Sequence, residues 1–546
     1  MTKTTIPQGN KDVDNRFQWK YTAAGLWERD IDEVELFYSS IAKLTRDAGA
    51  GCFPVTACVN IQASVPDDVT NEEANDRIES AIRKAWITLR YEHPSLSSWT
   101  DYDQENDKWT KFYSPLPSPD RDTVGEQHQR LASTLVMLES DMTGIEWLND
   151  DPILFQRSTL FILRPSTTDT AGNGHLKRTL LLRCPHEITD GIGILHLLQQ
   201  LLAHAAKAYE LEDAYVMPVF GNEAKNLSPP LRTAASLPQS PTAEQLRYFD
   251  AIKKKNASLQ TDMPLLGLPL SAEKGTAGKR QYLPLSLSNS LSAQVLSECK
   301  ARGVSVTHAF SAALILALRD MQPRSDQELP MRYFNQTLIN LRNACRPPFN
   351  TGAYAAAVYH MLSVEGISVD VVVPAFGAEQ ERETRMKEFA AVTDQVRDFF
   401  ASARGLESVS LSDLIAVSPP VWASITPSSK RAVKEASSQA ETELNSPRQD
   451  DNAPPPFSSV SLSSIGSINS IITPMHGALL VSDAWAAAES MGPGVGLFLG
   501  TWEGKPTIVA SFDSTWHNTR YMERFLGRIL EQMAEGLGLD GEMSES

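Results

Sequence analysis

The chain has 546 residues, 42% of them apolar, which is long enough for two to four globular domains. Its 50 Lys and Arg against 67 Asp and Glu give a net charge of −17. That charge argues against nucleic acid or an anionic membrane as the main partner, because both require a basic surface. Five scattered cysteines without CxxC spacing disfavour a disulfide framework or a structural zinc site and fit a reducing compartment. The first 20 residues lack the apolar core that is typical of a signal peptide, and no run of 18 apolar residues occurs, so we expect a cytoplasmic protein without membrane insertion.

Hydrophobic periodicity predicts that strands and helices alternate through the chain. The elements predicted in the first half are a strand over 55–66, a helix over 71–92, strands over 153–163 and 176–183, and a helix over 193–209. Those predicted in the second half are a strand over 279–287, helices over 290–302 and 306–321, strands over 331–341, 494–502 and 506–513, and a helix over 519–536.

Two segments rich in Pro and Ser interrupt these patterns, and both predict loops. Residues 222–275 are expected to connect a first half over 1–221 to a second half over 276–546, with a short helix at 242–255 inside the connection. Residues 426–458 are expected to be a disordered insertion in the second half. Because each half mixes strands and helices, we predict an α/β fold in which two α/β sandwich halves meet across a channel.

One strand–helix junction carries a histidine in the stretch RCPHEITDGIGI. Pro185 ends the strand ladder because it has no N–H, so His186 projects from the strand end. Asp190 occupies the N-cap position of the following helix and can also be held by an arginine from elsewhere. Gly191 and Gly193 let another chain segment or a ligand approach the backbone. An imidazole held in this way, with open space in front of it, can accept a proton from a hydroxyl, amine or thiol near pH 7.

A purely structural histidine that caps the helix is the alternative interpretation of His186. Asp190 is expected to hold the loop rather than to transfer protons.

These residues carry a family resemblance. HEITDG, between a strand and an apolar helix, resembles the HxxxDG motif of the CoA-dependent acyltransferase superfamily, which includes condensation domains, plant and fungal O-acyltransferases and chloramphenicol acetyltransferase. Condensation domains often have a second histidine where this chain has Pro185. Further pieces in the same order are LRYEHPSL over 89–96, GVSVTHA over 303–309 and INLR over 339–342. The pattern as a whole is most similar to fungal trichothecene O-acetyltransferase-type enzymes.

One departure concerns the DFGWG motif that many members of the superfamily have in the second half. The nearest equivalent here is SLSSIG over 461–466. Some members use a serine or asparagine there to hydrogen-bond the oxyanion, so the resemblance makes Ser463 the oxyanion candidate, with Ser464 as the alternative; a serine-rich strand edge without this role also fits. Arg342 is expected to hold Asp190 or to shape the channel.

The resemblance implies a chloramphenicol-acetyltransferase-like fold and O-acyl transfer. Acetyl or another acyl group would pass from acyl-CoA, as co-substrate, to a hydroxyl of a small secondary metabolite such as a sesquiterpenoid or polyketide. His186 would be the general base, and no metal or bound cofactor is expected. We expect a monomer. Two alternatives stay open at this point: a stand-alone condensation-like acyltransferase that uses a carrier-protein thioester, and a non-catalytic binding protein on the same fold.

Overall fold

The computed structural model describes residues 15–47, 52–65, 69–115, 131, 133–150, 155–166, 175–271, 279–378, 381–405, 409–427 and 457–539. The strands are β1 Lys20–Tyr21, β2 Trp27–Asp30, β3 Pro54–Ser64, β4 Trp99–Asp103, β5 Lys108–Tyr113, β6 Leu135–Glu139, β7 Thr159–Arg164, β8 His175–Pro185, β9 Leu268–Pro269, β10 Arg280–Ser286, β11 Leu329–Asn335, β12 Leu338–Asn340, β13 His360–Leu362, β14 Ile367–Val373, β15 Phe457–Ser458, β16 Val460–Ser467, β17 Met475–His476, β18 Leu479–Ala488, β19 Val495–Trp502 and β20 Lys505–Asp513. The α-helices are α1 Glu33–Asp47, α2 Asn71–Glu92, α3 Gly144–Asn149, α4 Gly191–Leu211, α5 Leu231–Ala234, α6 Ala243–Leu259, α7 Asn289–Ala301, α8 Val306–Asp320, α9 Arg382–Ala403, α10 Leu411–Ala416, α11 Ser418–Ile425 and α12 Thr519–Leu537.

The first half is built on a six-stranded sheet in the order β17-β18-β3-β8-β7-β6. The apolar run in β8 fits its central place in this sheet, because a strand covered on both faces needs no polar alternation. Helices α2 and α4 cover one face, and Trp86 and Leu198 pack there with Leu180 and Leu182 in one buried cluster. Thr70 caps α2 through a reciprocal capping box with Glu73, which sets where this helix begins.

The second half is built on a four-stranded sheet in the order β10-β20-β19-β16, in which β16 and β19 run parallel. Helices α7, α8, α9 and α12 pack around it and share one apolar cluster. The two halves are joined by a smaller apolar cluster in which Leu181 and Trp485 of the first sheet pack with Tyr282 and Val509 of the second. The α/β class and the two-half architecture predicted from the sequence are confirmed.

The second half of the sequence also supplies strands to the first half of the fold. The sequence places residues 276–546 in one half, whereas β17 and β18 complete the first sheet, where β18 pairs with β3. The strand predicted over 331–341 is likewise two strands, since β11 pairs with β14 and β12 with β13. Periodicity reports which face of a strand is buried but not which neighbour it pairs with.

The connection between the halves contains α5 and α6 and the short strand β9. Thr242 caps α6 through a capping box with Gln245, so the helix predicted at 242–255 is present and extends to Leu259. Most of the insertion predicted at 426–458 lies outside the described residues. Within the described ranges, no single helix is long and apolar enough to cross a membrane, and α7 with α8 meets that test only as a pair bent by 104°. No group of His, Cys, Asp and Glu suited to a metal ion occurs in the described parts of the chain.

Candidate active site

Strand β8 brings His186 to the end of the central pair of strands. Pro185 is the last residue of β8 and lies opposite Pro54 of β3. The backbone N–H of His186 then donates to the carbonyl of Phe53 at 3.0 Å. The histidine is therefore fixed to the sheet by its own main chain.

The turn after His186 leads directly into α4. Asp190 is the N-cap of this helix, and its Oδ1 accepts from the Gly193 N–H at 2.8 Å. The Thr189 hydroxyl donates to the Ala355 carbonyl at 2.8 Å. A β-carbon on Gly193 would lie 2.3 Å from that same carbonyl and 2.8 Å from Nη2 of Arg342. Glycine at this position thus permits the segment around Ala355 to pack against the helix start.

Asp190 and Arg342 form a buried ion pair. Nη1 of Arg342 donates to both carboxylate oxygens of Asp190, at 2.8 and 2.9 Å, and the Tyr359 N–H donates to the same carboxylate at 2.8 Å. Burial alone would raise the pKa of Asp190, but the adjacent Arg342 charge and then His360 lower it to about 2. A permanently charged aspartate with all these donors holds the loop and has no free proton to exchange near pH 7.

A second buried charge cluster supports the residue that follows the histidine. Nζ of Lys111 donates to the Glu187 carbonyl at 2.8 Å and to Glu35 at 2.7 Å. Arg29 donates to both oxygens of Glu35, and all three charged side chains are buried. Burial opposes ionisation of Glu35, but Arg29 and Lys111 lower its pKa to about 2. These contacts connect the HxxxDG turn to α1 and β5.

The imidazole of His186 is 6% exposed and is held in its neutral form. Burial lowers its pKa to about 4, while its own backbone, the Asp190 charge and the Thr189 backbone act weakly in the opposite direction. A neutral imidazole at pH 7 is the form that can accept a proton. The sequence led us to expect open space in front of the ring, but that space is not open. Tyr38 of α1 stacks on the ring, with the ring centres 4.0 Å apart.

A second histidine, which the sequence analysis did not single out, lies beside the first. His360 of β13 is 6.2 Å from His186 between ring centres and is buried. Its Nε2 lies 3.0 Å from the Tyr38 hydroxyl, and its Nδ1 lies 3.7 Å from Oδ2 of Asp190. Neither His360 nor Tyr38 belongs to a sequence motif. The only signal in the sequence was that His360 is a polar residue inside an apolar strand.

The two serines of β16 point to opposite faces. The Ser464 hydroxyl is 2.7 Å from the Thr307 hydroxyl at the start of α8, within the second half. Ser463 alternates with it and so lies on the opposite face of the strand. The register of β16 against β19 shifts between Ser464 and Gly466, and at this shift Cδ1 of Ile465 lies 3.9 Å from where a β-carbon on Gly191 would be. Strand β16 therefore runs beside the HxxxDG turn at Ile465, and Ser463 lies two residues earlier on the face opposite to Ser464.

A cavity of about 730 Å³ lies near His175 and Arg178, at the beginning of β8. His186 follows the other end of that strand, so this cavity is separate from the candidate site.

Known proteins are similar to this chain in sequence and in fold. Residues 277–372 match the family model "Phthiocerol/phthiodiolone dimycocerosyl transferase C-terminus". The "Acetyltransferase pigO" of Monascus ruber is 25% identical over 345 residues, which cover 62% of this chain and 67% of the relative. The TRI3 trichothecene 15-O-acetyltransferase of Fusarium sporotrichioides has the same fold, with a TM-score of 0.74 at 15% identity over 96% of this chain and 99% of that one.

These matches in sequence and fold fit the CoA-dependent acyltransferase and condensation-domain superfamily. The resemblance stated from the sequence is confirmed, and the protein is an acyltransferase enzyme. The EpoB cyclization-docking bidomain of Sorangium cellulosum also has a similar fold, with a TM-score of 0.51 at 12% identity. This similarity covers 94% of this acyltransferase and 86% of that chain.

Proposed function

We propose that this acyltransferase moves an acyl group, most simply acetyl, from acyl-CoA to a hydroxyl of a small hydrophobic secondary metabolite such as a sesquiterpenoid or polyketide. The observation that carries the proposal is the neutral, rigidly held imidazole of His186, whose pKa is lowered to about 4, at the end of β8. The acetyltransferase names of the similar proteins from Monascus ruber and Fusarium sporotrichioides support the choice of acyl group.

In the proposed reaction His186 accepts the proton of the acceptor hydroxyl. Since Nδ1 of the ring is buried, the exchange uses Nε2. The acceptor oxygen forms a bond to the thioester carbonyl carbon and gives a tetrahedral oxyanion. The carbon–sulfur bond then breaks, and the imidazolium returns its proton to the thiolate, which leaves as free CoA. Because the acceptor oxygen attacks the thioester directly, no covalent acyl-enzyme is required, and the imidazole begins and ends neutral.

Ser463 is the proposed donor to the oxyanion. Its place on the face of β16 opposite to Ser464, two residues before Ile465 approaches the HxxxDG turn, supports this role, whereas the Ser464 hydroxyl already contacts Thr307. A well-placed donor of this kind contributes about 2.7–4 kcal/mol to the transition state. Ser463→Ala should therefore lower kcat by roughly 10²- to 10³-fold, and Ser464→Ala should have a smaller effect.

The test is a panel of acyl-CoAs offered with terpenoid and polyketide alcohols, with free thiol release as the readout. His186→Ala should lose roughly 10²- to 10⁴-fold in turnover, the usual contribution of a general base. His204→Ala is the matched control, since His204 lies on the same helix α4 but pairs with Glu92 at 2.9 Å, away from the turn. Equal turnover in the His186→Ala and wild-type proteins would contradict the proposal.

A parallel assay with the same acyl group on a phosphopantetheine carrier protein identifies the acyl donor. The fold shared with a cyclization domain is the reason to include it. Transfer from the carrier but not from CoA would replace the CoA-dependent proposal with the condensation-like one. Binding of the alcohols without transfer from either donor would indicate a non-catalytic binding protein.

A further inference from the structure

Tyr38 makes the closest ring contact to His186. Its phenol ring lies parallel to the imidazole, with 4.0 Å between ring centres and 8° between planes. Phe53 lies nearly parallel beside this pair, with its ring centre 5.9 Å from that of His186 and 6.4 Å from that of Tyr38. A parallel ring at this separation restricts rotation of the imidazole out of its plane. Its nitrogens lie on the ring edge, so the stack does not cover the atom that would exchange a proton.

The Tyr38 ring is itself held by a chain of polar contacts. Its hydroxyl is 3.0 Å from Nε2 of His360, and Nδ1 of His360 lies 3.7 Å from the Asp190 carboxylate. The ionised carboxylate favours the tautomer with the proton on Nδ1, so Nε2 accepts and the Tyr38 hydroxyl donates. Burial and then the Asp190 charge raise the pKa of Tyr38, which keeps that hydroxyl protonated.

We propose that Tyr38 is a positioning residue for His186: its ring, held at its hydroxyl by His360, fixes the imidazole plane and stabilises the imidazolium formed when His186 accepts a proton. The proposal rests on the proposed function, in which that imidazolium is formed. The face of an aromatic ring carries negative charge density, so it attracts a cation placed over it.

The other groups around His186 fit this role. Asp190 faces it from its own turn and His360 from β13, while Arg342 acts on both of these. Burial lowers the pKa of His360 to about 3, which the Asp190 charge opposes, so His360 stays neutral and does not repel an imidazolium near pH 7. The attractive partners of the imidazolium are therefore the Asp190 carboxylate and the Tyr38 ring.

Three variants separate the ring from its tether and from helix packing. Tyr38→Leu removes the aromatic face and keeps an apolar side chain. Tyr38→Phe keeps the stack and removes only the hydroxyl. Ile41→Ala is the matched control, because Ile41 is a buried residue of the same helix and the same apolar cluster, with no ring contact to His186.

The first readout is steady-state kinetics at neutral pH. Tyr38→Leu should lower kcat roughly 2- to 30-fold, the range of a cation–π contact, with unchanged KM for both substrates. Tyr38→Phe should retain most of the activity, and Ile41→Ala should lower Tm but leave kcat unchanged. If Tyr38→Leu and Ile41→Ala have the same kcat, the proposal is overturned.

The second readout is histidine-ring NMR at pH 7, which requires no turnover. Tyr38→Leu should move the carbon-bound ring protons of His186 downfield, because the ring current of the stacked phenol is lost. Tyr38→Phe should leave them in place but shift the Nε2 resonance of His360, and it carries the test alone if Tyr38→Leu does not fold. His186 resonances that do not move in Tyr38→Leu, or a His360 Nε2 resonance that does not move in Tyr38→Phe, overturn the proposal. If the variants show the expected shifts but the wild-type protein shows no acyl transfer, only the proposed function is contradicted.

Discussion

Arg342 and Asp190 are 152 positions apart in sequence, and one guanidinium nitrogen of Arg342 donates to both carboxylate oxygens of Asp190. The pair joins the turn after β8 to the segment after β12, and both side chains are buried. A buried pair of this kind is costly to break, because the remaining charge has no partner.

Asp190→Asn and Arg342→Met should each lower the free energy of unfolding by about 3–5 kcal/mol. The double variant should lose less than the sum, because neither charge is left alone. Urea unfolding of the four proteins measures the coupling. Additive losses would show that the two side chains do not interact in solution.

Gly193→Ala should destabilise the protein by about 1–3 kcal/mol, because the new β-carbon would meet the Ala355 carbonyl at 2.3 Å. Gly191→Ala is the control, since the nearest atom there is the Ile465 Cδ1 at 3.9 Å. Thermal unfolding compares the two glycines, which are two residues apart. Equal losses in both variants would contradict the close approach at Gly193.

The stability contributed by His186 and His360 should fall as the pH drops below 6.5, the ordinary pKa of histidine. The pKa values of His186 and His360 are about 4 and about 3 in the folded chain, so the unfolded chain binds more protons in this range. Each site contributes a slope of up to about 1.4 kcal/mol per pH unit. Asp190 contributes no slope there, because its pKa moves from 3.8 to about 2 and acts only in stronger acid.

The measurement for this prediction is urea unfolding between about pH 8 and about pH 5. His360→Gln should reduce the pH dependence of the free energy of unfolding by the contribution of one histidine. If the free energy of unfolding of His360→Gln has the same slope against pH as that of the wild type, His360 is not buried in neutral form.

Lys111→Met should lower the free energy of unfolding by about 1–3 kcal/mol, because the Glu187 carbonyl and Glu35 lose a buried donor. Lys108→Met on the same strand is the control, since its pair with Asp30 is largely exposed and should change stability by less than about 1 kcal/mol. We expect kcat to fall in Lys111→Met only, because Glu187 directly follows the proposed base. Equal behaviour of the two variants would argue against support of the turn by Lys111.

The sequence predicted well those elements whose signals are local. The helix over 71–92 has its capping box and its proline stop written in adjacent residues, and its observed ends agree with the prediction. The junction at His186 was also visible locally, since an apolar strand, a proline and an N-cap aspartate follow one another. The sequence did not predict which strands pair with one another, as the place of β18 in the first sheet shows.

The chemistry of the site divides in the same way. The residue types and spacing from His186 to Gly193 by themselves determined a histidine held at a strand–helix junction, because hydrogen bonding and capping there act over a few residues. Only the tertiary structure placed Tyr38 on the face of that ring and His360 beside it, from segments 148 residues before and 174 after. Packing between distant segments leaves no periodic or motif signal in one sequence, so burial, and with it the lowered pKa of the imidazole, was decided by the fold.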